Sequence, residues 1–447
     1  MDNVTLGIAG IASLLVLLLR PARAFAVYIA VLLFYPTYLI VSLGTIDISA
    51  SRIVIAVLLA KCLTDENLRS RFKWCRLDGW VAFYMGITIV IMCITRPPFE
   101  ALENRAGFLM DTFFAYLAAR FCITDRAALI SVVKCVAVIL VPLAILGVLE
   151  SVADWRPYAQ LRQYCPWRPE GKIQEARFGF ERAEGPFSHA IMFGTVFAMF
   201  LPCIWSLRHE GGCWRKLAYL LSGVAIIGAM SSMSGGPWNT LIVVIFVLAL
   251  ERYKHWVKPL LIFLVFSCIF VEIASNRPFY HVIMSYANPL GGAAGHRAVI
   301  IDCAIEDIGK WWLVGYRGQD PGWGSRTGMS HTDVTNGFVL AGVYYGILGV
   351  IGLCIIFGSG IRMLVRLYNL SHEPVVKSWC WALGTILVAM IVTLMGVGLF
   401  GQTRTIFYCI LGMVGSVPNL VTKRIMSSTK CECKIVGIGY GIDKGVV

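Results

Sequence analysis

The feature that most limits how this chain can fold is its succession of apolar runs, each near the roughly 20 residues a helix needs to cross a bilayer. They fall near 3–19, 24–43, 47–63, 79–96, 105–121, 127–149, 186–206, 216–233, 236–250, 257–274, 333–357, 379–400 and 404–421. The runs are continuous, whereas a membrane β-barrel alternates apolar and polar positions along each strand. Composition agrees. Of 447 residues 58% are hydrophobic and 15% charged, where a soluble chain has about a quarter charged. The expected fold is an all-α polytopic membrane protein with about 12–13 transmembrane helices. The run from Val4 is read as a first span rather than a secretion signal: no basic region precedes it, and another run follows "RPARA" at once.

The net charge of +13 does not describe a nucleic-acid face, because the basic residues sit in short loops between runs. Arg20 and Arg23, the segment from Lys61 to Arg76, Arg120 and Arg126, and Arg208, Arg215 and Lys216 share one side under strict alternation. Arg252, Lys254 and Lys258, then Arg362, Arg366 and Lys377, then Lys423, Arg424 and Lys430 join them. The positive-inside bias makes that side cytoplasmic. The other side carries two long loops. The chain therefore divides into N-terminal helices 1–150, a first outer loop 151–185 and central helices 186–274. A large outer loop 275–332, C-terminal helices 333–421 and a cytoplasmic tail 422–447 follow. No internal repeat is visible, which tells against transporters built on paired repeats.

Two tail features lead nowhere. "KIVGIGYGIDKG" lacks the following helix and acidic residue of a dinucleotide fingerprint. Cys431 and Cys433 in "KCECK" are too few for a metal site.

The outer loops hold the residues capable of chemistry. In "GHRAVIIDCAIEDIGKWWLVGYRG" the helical period places Ile301, Ala304 and Ile308 on one stripe, with Asp302 and Glu306 facing away. Arg297 falls on the apolar stripe, either as a snorkelling side chain or as a functional cation. In "ARFGFERAEGPFSHAIMFG", Arg177 and Arg182 are either neutralised by Glu181 and Glu184 or available to hold phosphate, which arginine's planar fork suits. His189 follows, just inside a span. "SHTDVTNGFVLAGVYYGILG" sets His331 and Asp333 at the lip of another span. His331 is a base usable near neutral pH, and Asp333 is the expected helix cap, with Ser330 or Thr332 as substitutes. Asp111, inside a span, is either functional or the partner of an arginine from another helix.

The order of these pieces resembles a known family. Arg182, Gly185 and Phe187 open a span, "SMSGG" follows in the next pair, and then comes a long outer loop. That loop holds Arg297, "WWLVGYRG" and finally His331. This resembles the O-antigen ligase and Wzy-type polysaccharide polymerase superfamily of bacterial inner-membrane glycosyltransferases. His331, Thr332, Gly342 and Tyr345 match the ligase pattern, with Thr332 where Asn, Ser or Gln is usual. Ser234-Gly235-Gly236 departs from the Ser-Arg-Gly of many members by lacking the arginine. The resemblance runs from about Arg177 to Gly349.

The resemblance implies transfer of a glycan from undecaprenyl diphosphate to a sugar hydroxyl on the periplasmic side of the inner membrane, inverting and without metal or cofactor. The acceptor is a repeat unit or lipid A core. Arg182, Arg297 and Arg177 would hold the diphosphate, and His331, with Arg297, would be catalytic. Trp312, Tyr316 and Trp323 offer rings for acceptor sugars, or else form an interfacial belt. The alternative is a flippase or transporter of lipid-linked glycan. Cys165 and Cys303, one in each outer loop, are expected to pair in an oxidising compartment.

Overall fold

The computed structural model describes residues 1–44, 46–165, 176–286 and 294–435. The tail glycines, and the side chains of Cys431 and Cys433, lie outside the described residues. The chain is mostly helical, and a helix occupies each apolar run.

Helices α1 (Asp2–Leu18) and α2 (Pro21–Phe34) are followed by a two-stranded hairpin, β1 (Ile40–Leu43) with β2 (Ile46–Ser49). The run expected over 24–43 thus stops early. Pro36 disfavours the helical region for Tyr35, which is extended at φ −108°, ψ 118°. Helices α3 (Ala50–Thr64), α4 (Glu66–Arg71) and α5 (Arg76–Thr95) come next, then α6 (Pro98–Leu109) and α7 (Ala115–Cys122). A π-turn, Met110–Phe114, joins α6 to α7. It carries Asp111, whose carboxylate takes Nε and Nη2 of Arg52 at 3.1 and 2.8 Å. Of the two readings of Asp111, the interhelical ion pair is the one observed.

The centre is built from α8 (Arg126–Ala153), α9 (Ala190–Ser206), α10 (Trp214–Ser231) and α11 (Gly235–Leu250). Helix α9 is apolar on every face and almost wholly buried, as such a helix must be inside a bundle. Its Phe193 and Phe197 press on Gly147 of α8 and Gly228 of α10, where a Cβ would lie 2.6 and 2.5 Å from a ring atom. Small residues at these crossings let the helices approach closely.

Helix α12 (Val257–Ala274) is the opposite case: none of its residues is buried, and Phe263, Phe266, Phe270 and Ile273 all stand outward. A helix so apolar and so exposed suits a lipid bilayer. Outside the spans lie α13 (Phe279–Tyr286), α14 (Ala294–Glu306), α15 (Ile308–Trp311) and α16 (Gly324–Thr327). The bundle ends with α17 (Gly337–Leu370), α18 (Pro374–Gly396) and α19 (Gly401–Ile435). Among the described residues six helices are long and apolar enough to cross a membrane, in α5, α8, α9, α12, α17 and α18. The chain has the character of an all-α membrane protein.

Candidate functional site

The site begins with a broken helix. Within α17, Gly346 adopts φ 66°, ψ −167°, a conformation open to glycine, and a Cβ there would lie 2.5 Å from the Leu313 carbonyl oxygen. The break separates the Ile347 amide from the Val343 carbonyl, the pair a regular helix would join. Both find partners in the large outer loop: Ile347 donates to the Trp312 carbonyl at 2.7 Å, and Tyr316 donates to the Val343 carbonyl at 2.8 Å. Broken helices at membrane depth persist where protein satisfies the freed backbone groups. Gly342 leaves room for the Trp311 ring, 2.7 Å from where its Cβ would be. "WWLVGYRG" is therefore docked by main chain and packing into α17. Its neighbour α14 buries Ile300, Cys303 and Ala304. The apolar stripe is rotated from the expected Ile301, Ala304 and Ile308, because the helix ends at Glu306 and Ile308 lies beyond it, exposed.

The first outer loop is pinned from below. Glu150, buried near the end of α8, accepts the amides of Glu184 and Gly185, both at 2.8 Å. Glu184 pairs with buried Arg162 at 2.5 Å, and Ala183 donates to the Ser231 carbonyl. These anchors aim Arg182 at Ser234, whose Oγ accepts from its Nη2 at 2.6 Å just before α11. Arg177 opens a tight turn through Phe178 and Gly179, both with positive φ, closed by reciprocal backbone bonds to Phe180.

Beside the large outer loop lies a cavity of about 580 Å³, walled by His189 and Ile191, the end of α18 and the start of α17. Arg297 and the segments 318–321 and 332–335 complete its lining. Arg297 lies against Gly396, its Cζ 3.7 Å from where a Cβ would stand, and its Nε is buried without a hydrogen-bond partner. Burial, and then the like charge of Arg177, lower the pKa of Arg297. Among the described residues no carboxylate pairs with either arginine. An anion placed between them would relieve both effects.

The opposite wall is set by Asp320. It accepts the Thr332 amide at 3.0 Å, the Thr332 hydroxyl and the Gly322 amide at 2.8 Å, and these bonds, the hydroxyl's first, bring its carboxyl down to about 2. Thr332 and Asp333 line the cavity; His331, between Ser330 and Thr332, is exposed, its Nδ1 3.3 Å from Ser330 Oγ. Asp333 is not the cap of α17. Asn336 is: its Oδ1 accepts from Phe338 and Val339 at 2.9 and 3.1 Å. The Asp320 bracket holds 332–335 outside the helix, so α17 starts four residues after the expected 333.

The structure thus sets Arg297 and the segment 332–335, which follows His331, in the wall of one cavity; Arg177, whose charge acts on Arg297, does not line it, and Arg182 is held on Ser234 at the start of α11. The aromatics divide. Trp323 is 1% exposed, with Nε1 on Asp307 at 2.8 Å, and has no face for a sugar. Tyr316 stands edge-on to it, with its hydroxyl pushed up to about 12 by burial and by Asp307. Trp312 is exposed but does not line the cavity. Cys165 packs with Tyr38 and Leu39, and Cys303 with Ile300 and Trp311, in two separate clusters; they are not bonded to each other. Sequence reasoning missed Glu150 and Asp320, whose roles depend on amides distant in the chain. It placed His189 just inside a span; the residue is the cap of α9, its Nδ1 accepting from Ile191 at 3.0 Å, and it lines the cavity. No protein-family model and no curated protein matches the chain.

Proposed function

We propose that the chain is an inverting glycosyltransferase of the O-antigen ligase or polysaccharide polymerase type, placed in the bacterial inner membrane. It moves a glycan from undecaprenyl diphosphate to a sugar hydroxyl, on a repeat unit or on lipid A core, at the periplasmic face. The observation that carries this reading is Arg297, half-buried and under the like charge of Arg177, with an unsatisfied Nε and no carboxylate paired to it, in the wall of a cavity that the segment after His331 also lines.

The chemistry asks for these parts. The acceptor oxygen bonds to the anomeric carbon from the face opposite the departing group as the carbon–oxygen bond to the diphosphate breaks. The hydroxyl proton passes to His331, the natural base near neutral pH. The bonding pair leaves with the diphosphate, whose growing charge falls on Arg297 and Arg177, with Arg182 at the edge of α11. The ligase reading draws on the His331–Tyr345 spacing, and the polymerase reading accepts a second lipid-linked unit.

The test is complementation of a deletion strain. Arg297→Ala should cut glycan joining by about 10²–10³-fold, as loss of a charge-stabilising donor does, and His331→Ala should abolish it at equal membrane abundance. Normal surface polysaccharide from both variants would sink the proposal. Polymer retained on undecaprenyl diphosphate in the deletion strain marks a ligase; single capped units mark a polymerase.

A further inference from the structure

A second cavity, of about 320 Å³, shares Leu340 and Tyr344 with the first as a common wall. Its lining is aromatic and aliphatic, with Tyr84, Phe108, Phe407 and Tyr408 among it, yet besides Arg96, which pairs with Glu100 at 2.6 Å, it also contains Arg105 and Arg404. The two guanidinium groups lie against one ring. Their Cζ atoms are 4.6 and 4.9 Å from the centroid of Phe108, so they are no farther apart than those two distances combined. Arg105 is 7% exposed. Its Nη1 donates to the Tyr345 hydroxyl at 2.8 Å and its Nη2 to Asn104 Oδ1 at 2.5 Å, both neutral acceptors. The Nε atoms of Arg105 and Arg404 are buried without hydrogen-bond partners. Among the described residues no carboxylate pairs with either.

Arg105 is buried and Arg404 half-buried, and two like charges so placed are unfavourable unless something neutralises them; stacking on one aromatic ring returns only part of the cost. One carboxylate supplies half the needed charge; a phosphate-class dianion supplies all of it and matches the two guanidinium forks. The surrounding tyrosines and leucines suit the lipid to which such a group is attached. We propose that Arg105 and Arg404 hold the phosphate or diphosphate of a second membrane lipid, the acceptor substrate, beside the donor held at Arg297. This rests on the transferase reading. Leu340 and Tyr344 then separate the two anionic groups, and Tyr345 acts as a positioning residue that orients Arg105.

Binding of radiolabelled pyrophosphate to the full chain in phosphatidylcholine nanodiscs tests this without requiring transfer. The wild type should bind two equivalents. Arg105→Gln and Arg404→Gln should each weaken one of them by about 10–100-fold, the value of a charged hydrogen bond, and leave the Arg297-dependent equivalent intact. Arg297→Ala should do the reverse. Arg404→Lys, which keeps the charge, should retain the second equivalent and guards against misfolding in the glutamine variants. Farnesyl diphosphate should displace that equivalent at lower concentration than pyrophosphate does, assigning the anion to a lipid. Equal or weaker displacement overturns the lipid assignment. A single equivalent in the wild type, or two at undiminished affinity in both glutamine variants, overturns the site while leaving the transferase reading to its own test.

Discussion

Arg120 and Arg297 are both largely withdrawn from solvent, and they are treated in opposite ways. Arg120 is 1% exposed and meets Asp78, itself fully buried, through Nε at 2.7 Å and Nη2 at 2.9 Å. Tyr116 donates to the same carboxylate, and the Lys73 carbonyl takes a further N–H of Arg120. Nothing there is left over for a ligand. At the other end of α5, Arg96 reaches Gly318 of the loop that bounds the large cavity. That end holds Arg297, Arg105 and Arg404, whose Nε atoms are buried with no partner. Arg120 is matched by a carboxylate, as are Arg96 by Glu100 and Arg162 by Glu184, whereas Arg297, Arg105 and Arg404 have none among the described residues. Burial alone does not separate a structural arginine from a binding one. The partner does.

The largest effect expected from this contrast is at Asp78. Asp78→Asn keeps the shape and leaves Arg120 buried without its counter-charge, which should cost about 3–5 kcal/mol of stability. Adding Arg120→Gln should recover part of the loss, a coupling that a double-mutant cycle in detergent melts would measure. Arg404→Gln strands no carboxylate and should shift stability by less than about 1 kcal/mol. If Arg404→Gln proves as damaging as Asp78→Asn, the division of the arginines into two kinds fails.

A smaller effect is expected at Gly346. Gly346→Ala forces a side chain into a left-handed conformation and against the Leu313 carbonyl, at a cost of about 1–3 kcal/mol for the backbone alone. The loop 312–316 should lose its two main-chain bonds to α17 and become open to proteolysis, while the Asp78 end stays intact. Uniform loss of protection at both ends would show that the loop and the bundle are one cooperative unit.

The apolar runs were legible because hydrophobicity is a local property: a helix occupies every one of them, and α12 keeps its exposed apolar surface. The pattern of His331, Gly342 and Tyr345 was legible as spacing, but the work of its members was not. Gly342 admits Trp311, and Tyr345 holds Arg105 from 240 residues away in the chain. Arg404 has no distinguishing pattern in the sequence; the fold sets it on the same ring as Arg105. The start of α17 was misjudged for the same reason. Asp333 looks like a cap locally, and Asp320, a carboxylate twelve residues upstream of Thr332, keeps its segment extended.

Asp320 offers the smallest and most local test. It shapes the cavity wall without pairing with an arginine, so protonating it should disturb one bracket and leave the arginines alone. Its folded carboxyl titrates at about 2, below the ordinary 3.8, because the Thr332 hydroxyl and the Thr332 and Gly322 amides all donate to the ionised form. A depressed carboxyl contributes stability that is fully present above its unfolded value and is lost as pH falls through the folded one. The bracket should therefore hold from neutral pH to about 4 and release between about 4 and 2. Hydrogen exchange at the Thr332 amide, referred to Asp320→Asn at each pH, reports this. In the wild type the excess protection should vanish across that window, and in Asp320→Asn protection should be low throughout. An identical pH profile in the two proteins would mean that the bracket does not fix the strand carrying His331, and that Asn336 alone sets where α17 begins.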